Sequence, residues 1–176
     1  SFAITRNICQ SIFEKEKTVY VGIDDTLLRK IYSQFMQGAG MFFDTKIGRR
    51  IMAYKLAICM ITNGKIAIPI DCAYMFSKEV LDSIEEKFPS KDDIAKSFVQ
   101  TARKLFADAK IIIVVDGLYV SVEFIRWCRS EKLKLEARMA SNRVVEYKGE
   151  KIRVSNLLKL KGLHPIGRQM ARSISV

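Results

Sequence analysis

Hydrophobic positions change their spacing several times along the chain, and the changes mark out its elements. Between residues 4 and 16, Ile4, Ile8, Ile12 and Phe13 recur at helical spacing, which predicts an amphipathic helix. Thr18-Val19-Tyr20-Val21-Gly22-Ile23 is rich in β-branched and aromatic residues and predicts a strand that ends in Asp24-Asp25-Thr26. Residues 27–49 are basic and contain Gly38, Gly40 and Gly48, so most of them read as loop. Two apolar runs, Arg50 to Ile61 and Lys65 to Asp71, flank Thr62-Asn63-Gly64. Asn-Gly between such runs predicts a hairpin with a type I′ turn, which needs positive φ at both positions. Pro69 places the second strand at a sheet edge or near its end.

Residues 78–93 are polar and acidic, with a break at Pro89-Ser90. Asp92 to Ala107 predicts a helix with Ile94, Phe98, Ala102, Leu105 and Phe106 on one face. Lys110 to Val115 is almost continuously apolar, as in a central strand covered on both faces, and it ends in Asp116-Gly117. A helix over 120–132 follows, with Val120, Phe124, Ile125 and Cys128 inward, and then a strand from Leu133 to Met139. Arg143 to Tyr147 and Lys151 to Val154 predict a short hairpin around Lys148-Gly149, and the tail beyond carries no clear pattern. The order β-β-β-α-β-α-β predicts an α/β fold. Its mixed sheet would be an antiparallel three-strand meander followed by alternating helices and parallel strands.

At 176 residues the chain is about the size of one domain. It is 49% hydrophobic and 28% charged, an ordinary globular balance. No apolar run approaches the ~20 residues of a membrane span; the most apolar stretch, Ile51 to Ile61, is interrupted by Lys55. The chain opens at Ser1 without a signal-peptide pattern and reads as a fragment. Cys9, Cys59, Cys72 and Cys128 form no Cys-x-x-Cys pair, and His164 is the one histidine. Zinc is thereby disfavoured, and the cysteines read as reduced core residues of a cytoplasmic protein. The net charge of +11 points to a polyanion, with nucleic acid favoured over membrane. Residues 140–176 hold much of it, including Arg143, Lys148, Lys151, Arg153, Lys159, Lys161, Arg168 and Arg172 against Glu146 and Glu150.

Two predicted strands end in aspartate, at Asp24 and Asp116. In open α/β sheets, sites form at the carboxyl ends of strands. Paired carboxylates there suit Mg²⁺, and two such ions can act on a phosphodiester. The plainer reading is that aspartates close strands as turn or cap residues. Alternation puts Asp24 and Thr26 on one face and Asp25 on the other. Asp24 is the favoured ligand, and fraying at the strand end would reverse that choice.

Val21-Gly22-Ile23-Asp24-Asp25-Thr26 resembles the first acidic motif of the DDE transposases of bacterial insertion sequences. Phe42-Phe43-Asp44-Thr45-Lys46-Ile47-Gly48-Arg49-Arg50, with Ala53-Tyr54-Lys55-Leu56, is similar to the segment leading into their second strand. Val114-Val115-Asp116-Gly117-Leu118-Tyr119, with Phe124-Ile125, resembles the second acidic motif and its helix. Leu135 to Arg143 resembles the strand that leads into their β-rich insertion. The resemblance covers roughly residues 17–147, in the right order.

It implies an RNase H-like catalytic core over 17–141, a preceding helical tail over 1–16, and the basic start of a β-rich insertion over 142–176. It implies two Mg²⁺ or Mn²⁺ ions held by three acids, with Asp24 and Asp116 as the first two. The third, a glutamate in a Tyr-Arg-Glu-Lys pattern, has no counterpart here. The implied reaction frees a 3′-hydroxyl at a transposon end by hydrolysis and joins it to target DNA. Transposon ends and target DNA are the implied partners, with a homodimer for the complete enzyme and a place at the nucleoid. Arg138, Asn142 and Arg143 are candidates for DNA contact near the acids, and Arg49 and Arg50 for tracking phosphates. The rival readings are a non-catalytic nucleic-acid-binding module or inactive remnant, and a small α/β enzyme acting on a phosphorylated substrate. The latter lacks any Gly-x-Gly-x-x-Gly or P-loop pattern.

Overall fold

The computed structural model describes residues 2–30, 37–82, 88–138 and 142–160. It divides into two compact units, Ser1–Ile111 and Ile112–Val176. Helices combine with strands of mixed sense: an antiparallel set in the first unit, and one parallel pair and one antiparallel hairpin in the second. This is an α/β arrangement compatible with an RNase H-like fold.

The first unit is organised around one long strand. β1 is Thr18–Arg29, β2 Gly40–Asp44, β3 Arg49–Thr62 and β4 Ala67–Met75. β3 pairs antiparallel with β1 along one edge, from Tyr20↔Thr62 to Arg29↔Ala53. Its other edge is shared end to end: β2 takes Arg49 to Ala53 and β4 takes Lys55 to Thr62. The predicted meander is present, but β1 does not end at the aspartates. It runs five residues past Asp24, so Asp24 and Asp25 lie inside a paired strand opposite Ile58 and Ala57. The stretch read as loop therefore contains the end of β1 and all of β2. The glycines misled: Gly40 is needed for close approach, since a Cβ there would meet the Ser77 side chain at 2.4 Å.

The Asn63-Gly64 turn also differs from expectation. Only Gly64 has positive φ, at 89°, so the turn is not type I′. The Asn63 side chain instead accepts the amides of Lys65 and Ile66 at 3.0 and 3.1 Å, which opens a longer loop before Ala67. Positive φ at both positions occurs at Lys148 and Gly149, 53° and 85°, between β7 (Val144–Tyr147) and β8 (Glu150–Arg153). Pro69 sits at a register shift: Met60 pairs with Pro69 while Cys59 pairs with Asp71. The extra residue, Ile70, is fully buried, so the bulge turns a side chain inward where proline supplies no donor.

Alternation on β1 and β3 builds the core. Val19, Val21 and Ile23 face Ile51, Ala53, Ala57, Cys59 and Ile61, all buried. α1 (Phe2–Phe13) buries Cys9 and Phe13, one turn apart. The predicted isoleucine face is turned to solvent instead, with Ile4, Ile8 and Ile12 exposed. Arg6 settles the rotation of the helix: its guanidinium donates to the Ile70 carbonyl at 3.2 Å and to Asp71 at 2.6 Å, which brings the Arg6–Cys9–Phe13 side onto β4. α2 is the short helix Lys78–Asp82. α3 (Lys91–Leu105) starts at a capping box in which Ser90 and Asp93 each accept the other's backbone amide. It buries Ile94, Ala95, Phe98, Val99 and Ala102.

β5 (Lys110–Val115) crosses the boundary between the units. Its residues from Ile112 pair in parallel with β6 (Lys134–Ala137), Ile112↔Lys134 to Val115↔Ala137. Between them, Ser121 caps α4 (Val122–Ser130), which buries Phe124 and Cys128, with Trp127 stacked on Phe124 at 5.8 Å. The hairpin β7–β8 leads into α5 (Val154–Leu160). Cys72 is exposed, unlike the core position expected of it. Burial pushes the thiols of Cys9 and Cys59 up to about 11 and about 12, leaving both protonated at neutral pH. Lys161, His164, Arg168 and Arg172 lie outside the described residues.

Candidate functional site

The two predicted acids occupy different settings and share one feature. Asp24 lies on the face of β1 opposite the core, exposed; its Oδ1 accepts the amide of Asp25 at 2.8 Å. Asp116 follows β5 and caps the single 3₁₀ turn Gly117–Tyr119, also exposed; its Oδ1 accepts the amide of Gly117 at 2.6 Å. Each carboxylate thus spends one oxygen on the next backbone N–H, and neither forms an ion pair with a described residue.

The other acids nearby are neutralised. Asp25, on the core face, takes Lys55 Nζ at 2.8 Å and Lys91 Nζ at 3.2 Å on the same Oδ2. Its side chain is 13% exposed. Burial opposes its charge, but the two ammonium groups outweigh burial and hold its pKa below the ordinary carboxylate range. Asp44 is 4% exposed and meets Arg29 Nε at 2.6 Å. Its other oxygen accepts the Lys46 amide at 2.9 Å. Burial again pulls upward, and the Lys46 amide and Arg29 together keep its pKa low. Asp44 therefore holds the β2–β3 turn, although it falls within a segment of the family resemblance.

Lys55 and Lys91 are the residues that reading the sequence missed. The signal was there for one of them. Lys55 interrupts an apolar run at a position whose alternation points to the core, and Asp25 shares the face of Val21 and Ile23. A carboxylate and an ammonium on one buried face imply a pair. Lys91 gave no such sign, because the approach of α3 to the sheet is not written in local spacing.

In the second unit two of the candidate residues, Arg138 and Arg143, lie next to the segment that carries Asp116. The amide of Arg138 donates to the Val115 carbonyl at 3.2 Å, which fixes Arg138 beside the end of β5, with its side chain exposed. Arg143 donates to the carbonyls of Gly117, at 2.8 Å, and Val120. Its guanidinium is thus engaged with the turn after Asp116. Asn142 is exposed beside it.

No family model matches the chain, and no curated protein is similar enough to match it. Among solved structures it is similar to a chain in the "Cryo-EM structure of piggyBac transposase synaptic complex with hairpin DNA". That similarity is 13% in sequence identity over 70% of this chain, with a TM-score of 0.47. The chain spans 23% of the length of that neighbour.

Arg49 and Arg50 do not join Asp24. Asp24 pairs with Ile58, eight residues along β3 from Arg50, so roughly 26 Å of strand separates them. Arg50 donates to the Met41 carbonyl and to Glu79, both at 3.0 Å. Among the described residues no group of three Asp, Glu, His or Cys side chains gathers that could hold a metal ion. Of the glutamates after Asp116, Glu136 is paired with Lys134 at 2.8 Å and Glu123 lies exposed in the first turn of α4. No helix of the described residues is long and apolar enough to cross a membrane.

Proposed function

We propose that this chain carries the first two acids, Asp24 and Asp116, of a DDE-type transposase core. Its reaction would be metal-dependent DNA strand cleavage and strand transfer in cut-and-paste transposition. The observation that carries this reading is that both motif aspartates are exposed and each keeps one carboxylate oxygen open. In a chain of net charge +11, cations neutralise Asp25 and Asp44. Asp24 and Asp116, the aspartates that match the two acidic motifs, stay exposed with no ion pair to a described residue. Structural acids in a basic protein gain from pairing; acids kept for an added cation do not need it.

The donors suit Mg²⁺ or Mn²⁺ in kind. Both are hard carboxylate oxygens, each with one oxygen left over from its backbone hydrogen bond. When bound, two such ions supply charge stabilisation to the attacking and leaving oxygens of a phosphodiester. Asp24 and Asp116 would hold them, while Arg138 at the end of β5, Asn142, Arg49 and Arg50 would contact DNA phosphates. Cytoplasmic action at the nucleoid and a homodimer for the complete enzyme belong to the same proposal.

Among the described residues no three metal-ligating side chains gather, and this favours a second reading: a chain that binds DNA without cutting it, as a binding module or inactive remnant. Fluorescence anisotropy with a DNA duplex at matched ionic strength separates the two. The transposase reading expects Mg²⁺ to strengthen DNA binding by the native chain and to have no such effect in Asp24→Asn or Asp116→Asn. If Mg²⁺ leaves native binding unchanged, and both variants bind at least as well as the native chain, the binding-module reading takes its place. Under either reading affinity falls steeply with salt.

A further inference from the structure

We infer that Arg143 is a positioning residue for Asp116, acting through the turn that follows it rather than through DNA. The inference rests on the proposed role of Asp116 as a metal ligand. Gly117 is held from both sides. Its amide donates to the Asp116 carboxylate at 2.6 Å, and its carbonyl accepts Arg143 Nη2 at 2.8 Å. At the far end of the same turn, the Val120 carbonyl accepts Arg143 Nη1. One guanidinium therefore bridges the first residue of the turn and the residue that ends it.

The turn needs such a partner. Its own closing bonds are Tyr119 N–H to the Asp116 carbonyl at 2.9 Å and a long Val120 N–H to the Gly117 carbonyl at 3.4 Å. The Gly117 carbonyl receives only that long bond within the turn, and the Val120 carbonyl lies beyond the turn's last helical bond, so a charged planar fork strengthens the one and satisfies the other. Arg143 is in turn anchored by the hairpin. Its carbonyl accepts the amide of Val154 at 2.8 Å, and the neighbouring pair Val144↔Arg153 closes the β7–β8 ladder. The hairpin thereby fixes the arginine, the arginine fixes Gly117, and Gly117 fixes the carboxylate of Asp116. A side chain spent in this way is not available to a phosphate, which changes the role that the sequence assigns to Arg143.

The test uses the full chain with Arg143→Gln and Arg143→Lys. Hydrogen exchange reads the clamp without any metal: the amides of Tyr119 and Val120 should exchange at least about tenfold faster in Arg143→Gln, with the Ile113 amide unchanged. A titration with Mn²⁺ reads the consequence. Residues that orient a metal ligand typically change affinity about 10- to 100-fold, so Arg143→Gln should weaken Mn²⁺ binding by that factor. Arg143→Lys, which can reach one carbonyl but not both, should fall between, and millimolar guanidinium should restore part of the loss in Arg143→Gln. Unchanged exchange at Tyr119 and Val120 would overturn the clamp. Faster exchange with unchanged Mn²⁺ affinity would overturn its positioning role while leaving Asp116 as a ligand. A native chain that binds no Mn²⁺ would overturn the underlying reading of Asp116, and this inference with it.

Discussion

Asp24 and Asp25 are adjacent in one strand, yet the two faces of β1 give them opposite fates. On the core face Asp25 sits beyond Val21 and Ile23, and two lysines from separate elements converge on it. On the other face Asp24 has its neighbour's amide and solvent. The difference comes from desolvation. A carboxylate on a buried face must be compensated where it stands, whereas one on an open face can wait for a partner. Asp25 is thus a structural acid that ties α3 to the sheet, while Asp24 keeps an exposed carboxylate.

The largest expected effect is on the core face. Asp25→Ala leaves Lys55 and Lys91 facing each other across a half-buried gap and should cost about 2 kcal/mol. That lies below the value for a fully buried pair, because both lysines keep some solvent. Urea unfolding reads it. A loss below about 0.5 kcal/mol, the ordinary level for surface changes, would erase the contrast between the faces.

Next comes the start of α3. Ser90→Ala removes half of the capping box and should cost about 1 kcal/mol in the same assay. It also loosens the first turn that presents Lys91, so its effect should shrink when combined with Asp25→Ala. Strict additivity of the two changes would mean that the cap and the ion pair act independently.

The pH dependence sharpens the same point. The folded pKa of Asp25 is lowered, so its contribution is fully present above the unfolded value of about 3.9. It is lost as pH falls through the lower folded value. Stability should therefore rise with pH across that acid window, and Asp25→Asn should flatten part of the rise. Asp44, held low by the Lys46 amide and Arg29, supplies a further part that Asp25→Asn leaves intact. The smallest effect belongs to the open face: Asp24→Asn should change stability by less than about 0.5 kcal/mol.

Much of the fold was legible because alternation is a local signal. The core faces of β1 and β3, the helix α3 and the β7–β8 hairpin all follow from spacing. The failures have physical causes. The end of β1 was misplaced because two aspartates look like a strand terminus, and nothing local shows that β3 is long enough to keep pairing to Arg29. The isoleucines of α1 promised a buried face, but a tertiary contact of Arg6 with Ile70 and Asp71 turns the helix otherwise. At the candidate site, the place of Asp116 at the end of β5 could be read from the sequence, as could the alternation that separates Asp24 from Asp25; the place of Asp24 inside a paired strand could not. The engagement of Arg143 with two carbonyls could not, because it joins residues 23 and 26 positions apart through backbone atoms that have no sequence signature.

The central claim is that Asp24 and Asp116, and not Asp25, are the acids kept for a metal ion. A Mn²⁺ titration of the native chain, Asp24→Ala, Asp116→Ala and Asp25→Asn, each first shown to be folded, tests it most directly. The account predicts that binding is lost or strongly weakened in Asp24→Ala and Asp116→Ala and retained in Asp25→Asn. Native-like binding in Asp24→Ala and Asp116→Ala, or loss confined to Asp25→Asn, would contradict it.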